Sequence, residues 1–266
     1  MKPKWRPSAC KNIDGLSLTP RRKLQNQDAR INRQKVTFDL PITRDRDLEA
    51  YFRIFTQPGT VCHNPALRPM QPANIIRNHT TVHIEGARTI DDIGKISAGS
   101  GIWYAQGDAR NTCLKYKTDI NSNSLGELLA TLWAIYEEPP QNELTIKMTS
   151  LDIIDAILKN VQKWEPEGFI GVANREIIQA IIASLRNRGG PTSLTQLAND
   201  TLEIGYTTAK DLAKAGAEKE LHDKPNLEIN LNFNLCGAQL RNMTQALAYR
   251  GICEIKKMYR KRSQTA

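Results

Sequence analysis

The chain has 266 residues, 40% of them apolar and 24% charged, with a mean hydropathy of −0.48. This composition is typical of soluble globular proteins and excludes a wholly disordered chain. At about 150 residues per domain, the length predicts one large domain or one domain with extensions. No window approaches the roughly 18 uncharged apolar residues of a membrane-spanning helix, and residues 1–15 lack the apolar core of a secretory signal. We therefore expect no membrane partner, no secretion, and a location in the cytosol or nucleus.

Positive charge is concentrated at the two ends of the chain. The net charge of +9 divides into +8 for residues 1–35, +4 for residues 254–266 and −3 for the body between them. Residues 1–35 contain few aliphatic side chains, which predicts a flexible basic arm. Such an arm binds phosphate backbones through counterion release or serves as a nuclear import signal. A solvated tail is an equally good interpretation, and the same alternatives hold for the basic run at residues 256–262.

The five cysteines do not predict a metal site. They are widely spread and contain no Cys-x-x-Cys pair, and their number is odd. This usage indicates reduced thiols rather than a disulfide framework or a zinc site.

The hydrophobic periodicity predicts an α/β fold. Val36–Phe38 indicates a strand, and residues 47–55 have helical spacing before a proline-rich connector. Five strands are then predicted, at Thr80–Ile84, Ser97–Ala105, Asn111–Lys117, Leu144–Met148 and Pro191–Leu197. Four helices are predicted at Ser124–Glu137, Leu151–Val161, Asn174–Arg186 and Thr207–Lys219. One helix follows the third strand, two follow the fourth strand and one follows the fifth. Short connections favour an antiparallel meander for the first three strands, and helical crossovers return the last two strands parallel to the first. We expect a five-stranded mixed sheet with helices on both faces.

The remaining segments are N- and C-terminal extensions. We divide the chain into a flexible basic arm (1–35), an N-terminal extension and linker (36–78), the main domain (79–219) and a C-terminal extension with a basic tail (220–266). Within the last segment, residues 227–234 alternate as in a strand, and residues 237–249 have helical spacing that ends at Gly251. The sequence leaves open whether this extension packs on the domain or on a partner.

The element order, with Glu127 on the first long helix, resembles that of the ribonuclease H superfamily. Sequence blocks over residues 36–255 are similar to the type 1-like ribonuclease H domains of fungal, notably basidiomycete, retroelement-derived proteins. The blocks are Gly99-Ser-Gly-Ile-Trp-Tyr, Asp108-Ala-Arg-Asn, Lys163-Trp-Glu-Pro-Glu-Gly-Phe-Ile-Gly-Val-Ala-Asn and Pro191-Thr, with the flanking Val36-Thr-Phe, Phe52-Arg-Ile-Phe-Thr and Met243-Thr-Gln-Ala-Leu-Ala-Tyr-Arg-Gly-Ile. The resemblance implies a ribonuclease H-like fold. In active members it also implies cleavage of the RNA strand of an RNA–DNA hybrid by four carboxylates that hold two Mg²⁺ ions.

The resemblance assigns four metal positions to this chain, and only two of them keep a carboxylate. Glu85 stands at the first position in place of an aspartate, and Glu127 fills the second as the family requires. Apart from the resemblance, Glu127 also fits the role of a helix-capping glutamate. Thr149 stands at the third position and Lys210 at the fourth, where Lys210 could pair with either glutamate and fill the place of one metal ion.

Two neighbouring acids are possible substitutes, but only with a changed geometry. Asp152 lies about a turn into the next helix, and Asp211 is rotated by about 100° from the expected position. The histidine-containing loop of the family is replaced by Ala198-Asn-Asp-Thr-Leu, and the four histidines of the chain indicate surface or packing positions. The four assigned positions carry a net charge of −1 at most. We therefore expect no productive pair of Mg²⁺ ions and no cofactor, with Mg²⁺ needed only if the protein is active.

Three functions fit this sequence. The first is a ribonuclease H-like protein that binds nucleic acid, an RNA–DNA hybrid or RNA, with impaired or lost catalysis. Its candidate contacts to the wide minor groove of a hybrid are Asn111, Asn123, Ser124 and Asn174. The second is an active endoribonuclease that uses the two glutamates with the substitute aspartates. The third is a scaffold for a protein partner on the same fold, which the slightly acidic body permits. The sequence does not decide the oligomeric state.

Overall fold

The computed structural model of the chain describes residues 20–38, 52–56, 78–90, 94–118, 124–198, 201–230, 233 and 235–265. Its helices are α1 (Pro20–Ile31), α2 (Ser124–Glu137), α3 (Leu151–Asp155), α4 (Val161–Trp164), α5 (Arg175–Asn187), α6 (Ile204–Glu218) and α7 (Gln245–Thr265). Its strands are β1 (Val36–Thr37), β2 (Arg53–Ile54), β3 (His79–Ile90), β4 (Ile96–Trp103), β5 (Thr112–Lys117), β6 (Glu143–Met148), β7 (Thr192–Gln196) and β8 (Ala238–Gln239). A π-helical turn (Ala156–Asn160) joins α3 to α4, and a 3-10 turn (Leu240–Asn242) precedes α7. Across these ranges, no helix combines the length and the apolar character that crossing a membrane requires.

The main sheet has the strand order β1-β7-β6-β3-β4-β5. Strands β3, β4 and β5 form the expected antiparallel meander, and β6 runs parallel to both β3 and β7. The predicted mixed α/β sheet is therefore confirmed. It has one strand more than expected, because β1 pairs antiparallel with β7 and becomes the sheet edge.

Helices cover both faces of the sheet, as expected. Neighbouring residues of a strand point to opposite faces, so β4 shows both packings. On one face, the Ser100 hydroxyl donates to the Gly126 carbonyl of α2 at 2.5 Å. On the other face, a Cβ built at Gly101 would lie 1.9 Å from the Ala209 carbonyl oxygen of α6.

Small residues let α6 approach the sheet very closely. Ala209, Ala213 and Ala217 recur every fourth residue, which places them on one face of α6, and all three are fully buried. They lie over Gly99 and Gly101 of β4, so the helix backbone rests directly on the strand backbone. The side chains that border this contact on α6 are thereby fixed relative to β3 and β4.

The main core lies between the sheet and the helices α2 and α5. Strand β6 contributes Leu144, Ile146 and Met148, which point to the same face of the sheet and are fully buried. Helix α5 adds several buried isoleucines, such as Ile181. These contacts hold β6 in the centre of the sheet, next to β3.

Residues 20–31, which were expected within a flexible arm, form helix α1. Asn26 and Thr37 exchange two hydrogen bonds, from Asn26 Nδ2 to the Thr37 carbonyl at 2.7 Å and from the Thr37 amide to Asn26 Oδ1 at 3.1 Å. Arg30 also pairs with Asp155 of α3. Because β1 belongs to the main sheet, these contacts anchor α1 at the β7 edge; residues 1–19 lie outside the described residues.

The C-terminal extension packs on the main domain. Strand β8 pairs antiparallel with β2, and the Gln239 amide donates to the Pro166 carbonyl at 2.8 Å. The guanidinium of Arg53, which is buried, donates to the Gly237 carbonyl at 2.6 Å. The N- and C-terminal extensions are thus joined to each other and to the segment before α5.

Three predictions about the extensions were wrong. Arg53–Ile54 is a strand instead of the end of a helical element, because it pairs with β8. Residues 226–230 are irregular instead of a strand, and their apolar side chains pack against the main core without joining a sheet. Helix α7 begins at Gln245 and continues through Gly251, where a Cβ would lie 2.6 Å from the ring of Phe55. Gly251 therefore serves close packing and not helix termination.

We predict that Gly101→Ala destabilises the protein by about 1–3 kcal/mol or more, because the added methyl group meets the backbone of α6 and not a movable side chain. Urea unfolding followed by circular dichroism would measure the change. An unfolding free energy equal to that of the wild type would contradict the close packing described here.

Candidate functional site

The first and third positions assigned by the resemblance lie side by side at the end of two parallel strands. His83 of β3 pairs with Lys147 of β6, and continuing this register by two residues brings Glu85 beside Thr149. The Thr149 hydroxyl donates a hydrogen bond to Glu85 Oε2 at 3.1 Å. The Glu85 side chain is buried, with 9% of the residue exposed.

The second position joins this pair from helix α2. Glu127 lies in the first turn of α2 and is 7% exposed. Its carboxyl group hydrogen-bonds with that of Glu85 and also with the Ser150 hydroxyl, which follows Thr149. The two glutamates that were predicted to keep the metal positions are therefore in direct contact.

Burial changes the protonation of both glutamates. Desolvation, reinforced by the nearby charge of Glu85, raises the pKa of Glu127 to about 8. Desolvation also raises the pKa of Glu85, against the opposing effect of the hydrogen bond from Thr149. Two carboxyl groups that hydrogen-bond to each other need a proton between them. With a pKa of about 8, Glu127 is mostly protonated at neutral pH.

The fourth position is a cation on helix α6. Lys210 is exposed, and its positive charge weakly opposes the rise in the pKa of Glu85 that burial causes. Its Nζ lies 5.7 Å from the ring centroid of Tyr206, one turn earlier on α6. Tyr206 is buried, and both glutamate charges contribute to raising the pKa of its hydroxyl. The Tyr206 ring and the Lys210 side chain therefore border the glutamate pair on the α6 side.

The two substitute acids do not complete a four-carboxylate cluster. Asp152 is exposed in the first turn of α3, and its charge contributes to the raised pKa of Glu127. The Asp211 side chain is 77% exposed and faces Lys214 at 3.9 Å. Among the residues that the structure describes, no group of three or more His, Cys, Asp or Glu side chains could hold a metal ion.

The four predicted nucleic-acid contacts have different surroundings. Asn111 is used by its own loop, since its Oδ1 accepts from the Tyr104 amide at 2.7 Å and its Nδ2 donates to the Ala105 carbonyl at 2.6 Å. Ser124 is half-buried at the start of α2. Asn174 precedes α5 in the left-handed conformation, with a φ of 53°. Asn123 lies outside the described residues.

A charged cluster next to the glutamates was missed by the sequence analysis. Glu203, at the N-terminus of α6, accepts a hydrogen bond from His83 at 2.9 Å and pairs with Lys147. His83 packs edge-on against Trp103 and is buried, which agrees with its interpretation as a packing residue. The burial of His83 lowers its pKa, and the neutral ring ties α6 to β3 through Glu203. The sequence feature that could have revealed this cluster is Glu203, the acidic residue just before α6. An acidic side chain at the N-terminus of a helix often binds nearby hydrogen-bond donors.

Sequence comparison finds no matching family model and no significantly similar curated protein. Structural comparison finds a foamy viral protease-reverse transcriptase in complex with dsDNA, with a TM-score of 0.45 and 14% identity over 52% of this chain and 94% of that chain. It also finds LC9-RNase H1, a type 1 RNase H with the type 2 active-site motif, with a TM-score of 0.42 and 14% identity over 67% of this chain and 87% of that chain.

The raised pKa of Glu127 predicts that stability falls with pH. Because the folded value of about 8 lies above the ordinary value of 4.5, the native state binds more protons than the unfolded state between these pH values. The stabilisation is complete below about pH 4.5 and is lost as the pH rises towards 8. We expect Glu127→Gln, which stays neutral, to be more stable than the wild type at pH 8 by on the order of 1 kcal/mol, with a smaller or reversed difference at pH 5.

Urea unfolding of both proteins at the two pH values would measure this difference. Glu137→Gln is the matched control, because Glu137 is an exposed glutamate at the other end of α2. A pH-independent effect of Glu127→Gln would show that the two glutamates ionise normally in the folded protein.

Proposed function

We propose that this protein is a ribonuclease H-like nucleic-acid-binding protein that recognises RNA–DNA hybrids and whose catalysis is impaired or lost. One observation carries the proposal: the Glu85 carboxyl group is held by the Thr149 hydroxyl and by Glu127, and Lys210 stands on the facing helix. Hydrogen bonds within the protein thus occupy the oxygens that a metal ion would need.

The donor set does not fit a pair of Mg²⁺ ions. Two hard divalent cations a few ångströms apart need several oxygen ligands with high negative charge. Here two carboxyl groups share a proton, a threonine hydroxyl donates to one of them, and a lysine adds positive charge. Lys210 repels a divalent cation instead of binding it. The loss of two carboxylates therefore argues against two-metal hydrolysis.

Basic residues near the sheet and at the C-terminus support nucleic-acid binding. Helix α1 and the residues that follow it, 20–35, carry six Lys and Arg residues against Asp28, and α1 is anchored at the β7 edge. On α7, Lys256 and Lys257 are exposed. Clustered cations of this kind bind phosphates through counterion release.

We propose an origin of the protein among fungal retroelement-derived proteins, because its sequence blocks are similar to theirs. We also propose that it is located in the cytosol or nucleus.

An active endoribonuclease is the second candidate. Asp152 is close enough to Glu127 for its charge to act on that carboxyl group, so a third acid borders the site. A rearrangement of α3 would be needed before Asp152 could share a metal ion with the glutamates.

The purified protein should bind an RNA–DNA hybrid, with an affinity that falls steeply as salt is raised, and should leave the RNA strand intact in Mg²⁺ or Mn²⁺. Fluorescence anisotropy measures the binding, and a denaturing gel measures the cleavage. Cleavage that disappears in Glu127→Gln would establish the active enzyme. A lack of salt-sensitive binding would instead favour the protein-interaction scaffold.

Replacing the two altered positions should create a cation site. We expect the double variant Thr149→Asp, Lys210→Asp to bind Mg²⁺ at least tenfold more tightly than the wild type by isothermal titration calorimetry, because two carboxylates and the loss of a cation favour divalent binding. The control is Thr207→Asp, Lys214→Asp, which makes the same charge change on exposed positions of α6. Equal Mg²⁺ binding by the two double variants would contradict the assignment of these positions.

A further inference from the structure

A groove runs between helix α1 and the start of helix α3, and its volume is about 650 Å³. Apolar side chains stand exposed on its two sides, Ile31 from α1 with 80% exposure and Leu151 from α3 with 43% exposure. Polar groups line the rest of it, among them Gln27, Arg33 and Gln196. The volume lies within the range of about 300–1,000 Å³ that is usual for small-ligand sites.

The groove is linked to the glutamate pair by two hydrogen bonds. Gln196 of β7 lines the groove, and its Nε2 donates to the Thr149 carbonyl at 3.4 Å. The Thr149 hydroxyl in turn donates to Glu85. Leu151 of the groove follows Thr149 by two residues, so the groove and the candidate site are neighbours in the fold.

Arg33 occupies a position where a glycine is expected. It follows α1 in the left-handed conformation, with a φ of 54°. The hydrogen bonds from the Gln34 amide to Ala29 and from the Arg33 amide to Arg30 form a Schellman motif, in which this residue is usually glycine. An arginine there strains the backbone, and local strain of this kind is a pointer to a functional position.

We propose that this groove binds one unpaired nucleotide of a strand that extends from a hybrid held at the glutamate pair, an inference that rests on the proposed function. The Arg33 guanidinium stacks on the base or pairs with its phosphate, and Ile31 and Leu151 cover the apolar face of the base. Asp28 and Gln196 offer hydrogen-bonding groups to the edge of the base or to the sugar hydroxyls.

The neighbouring charges favour a nucleic-acid strand as the occupant. The residues at 20–35 carry a net charge of +5, from six Lys and Arg residues and Asp28. Arg30 is paired with Asp155, and Arg33 is the second arginine that lines the groove. The phosphates of a nucleic-acid strand would contact the basic residues at 20–35, and its bases would contact the apolar side chains of the groove.

Binding of hybrids with different ends tests the proposal. Blunt RNA–DNA hybrid is compared by fluorescence anisotropy with four hybrids that carry a two-nucleotide overhang on one of the four strand ends, and with the single strands alone. We expect one overhang position to tighten binding by about tenfold, as stacking of a base does in other proteins. Arg33→Gly should remove this gain, so that the variant binds the overhang hybrid no more tightly than it binds the blunt hybrid.

Arg33→Gly separates a binding role from a structural one. Because glycine adopts the left-handed conformation without strain, the variant should unfold at the same or a higher temperature than the wild type while losing the overhang effect. The control is Lys224→Gly, which removes one charge from an exposed loop and should keep the overhang effect. Leu151→Ala should also weaken the overhang effect, because it removes apolar contact with the base and leaves the charge of the groove unchanged.

Each outcome decides the proposal. No gain from any overhang, or a gain that survives in Arg33→Gly, overturns the nucleotide groove and leaves hybrid binding intact. If the blunt hybrid does not bind but a single strand binds through Arg33, the proposed function fails and the groove stands. If neither the hybrids nor the single strands bind, both are wrong.

Discussion

The architecture depends on the contact between the backbones of α6 and β4. Glycines on the strand and alanines on the helix remove the side chains that normally separate a helix from a sheet. The helix can therefore bring Lys210 and Tyr206 to the border of a carboxyl pair that comes from other elements. Glu203 adds an electrostatic tie from the first turn of the same helix to β3 and β6. The site is thus a consequence of how closely one helix lies on its sheet.

The carboxyl pair is held in place by two elements that come from different parts of the chain. The carboxyl groups of Glu85 and Glu127 come from a strand and a helix whose packing is determined by the core, and both residues are buried. Their mutual repulsion is relieved by a shared proton and by the Thr149 and Ser150 hydroxyls. These neutral donors stabilise an acid pair that bulk water no longer solvates. The arrangement is self-contained, which is the physical basis for proposing a binding role over a hydrolytic one.

Much of the main domain could be predicted from its sequence. Periodicity found the helices α2 and α5 and the strands of the meander, because buried faces impose a regular spacing on apolar residues. It failed at Arg53–Ile54 and at Gly251, where a partner distant in the chain determines the local structure. The contact of Glu85 with Glu127 followed only from the resemblance. The cluster around Glu203 could not be found, since it requires the register of β3 against β6 and the position of α6 together.

Strand β1 has a consequence for the behaviour of the chain in solution. Strand β1 pairs with β7 at one edge of the main sheet and has only two residues. Helix α1 holds these residues in place through the hydrogen bonds between Asn26 and Thr37. An open strand margin offers unpaired amides and carbonyls to other molecules and favours aggregation. A two-residue edge strand offers few unpaired backbone groups, which limits pairing with the strand of another molecule. A shortened protein that lacks residues 20–38 should self-associate even where its fold survives.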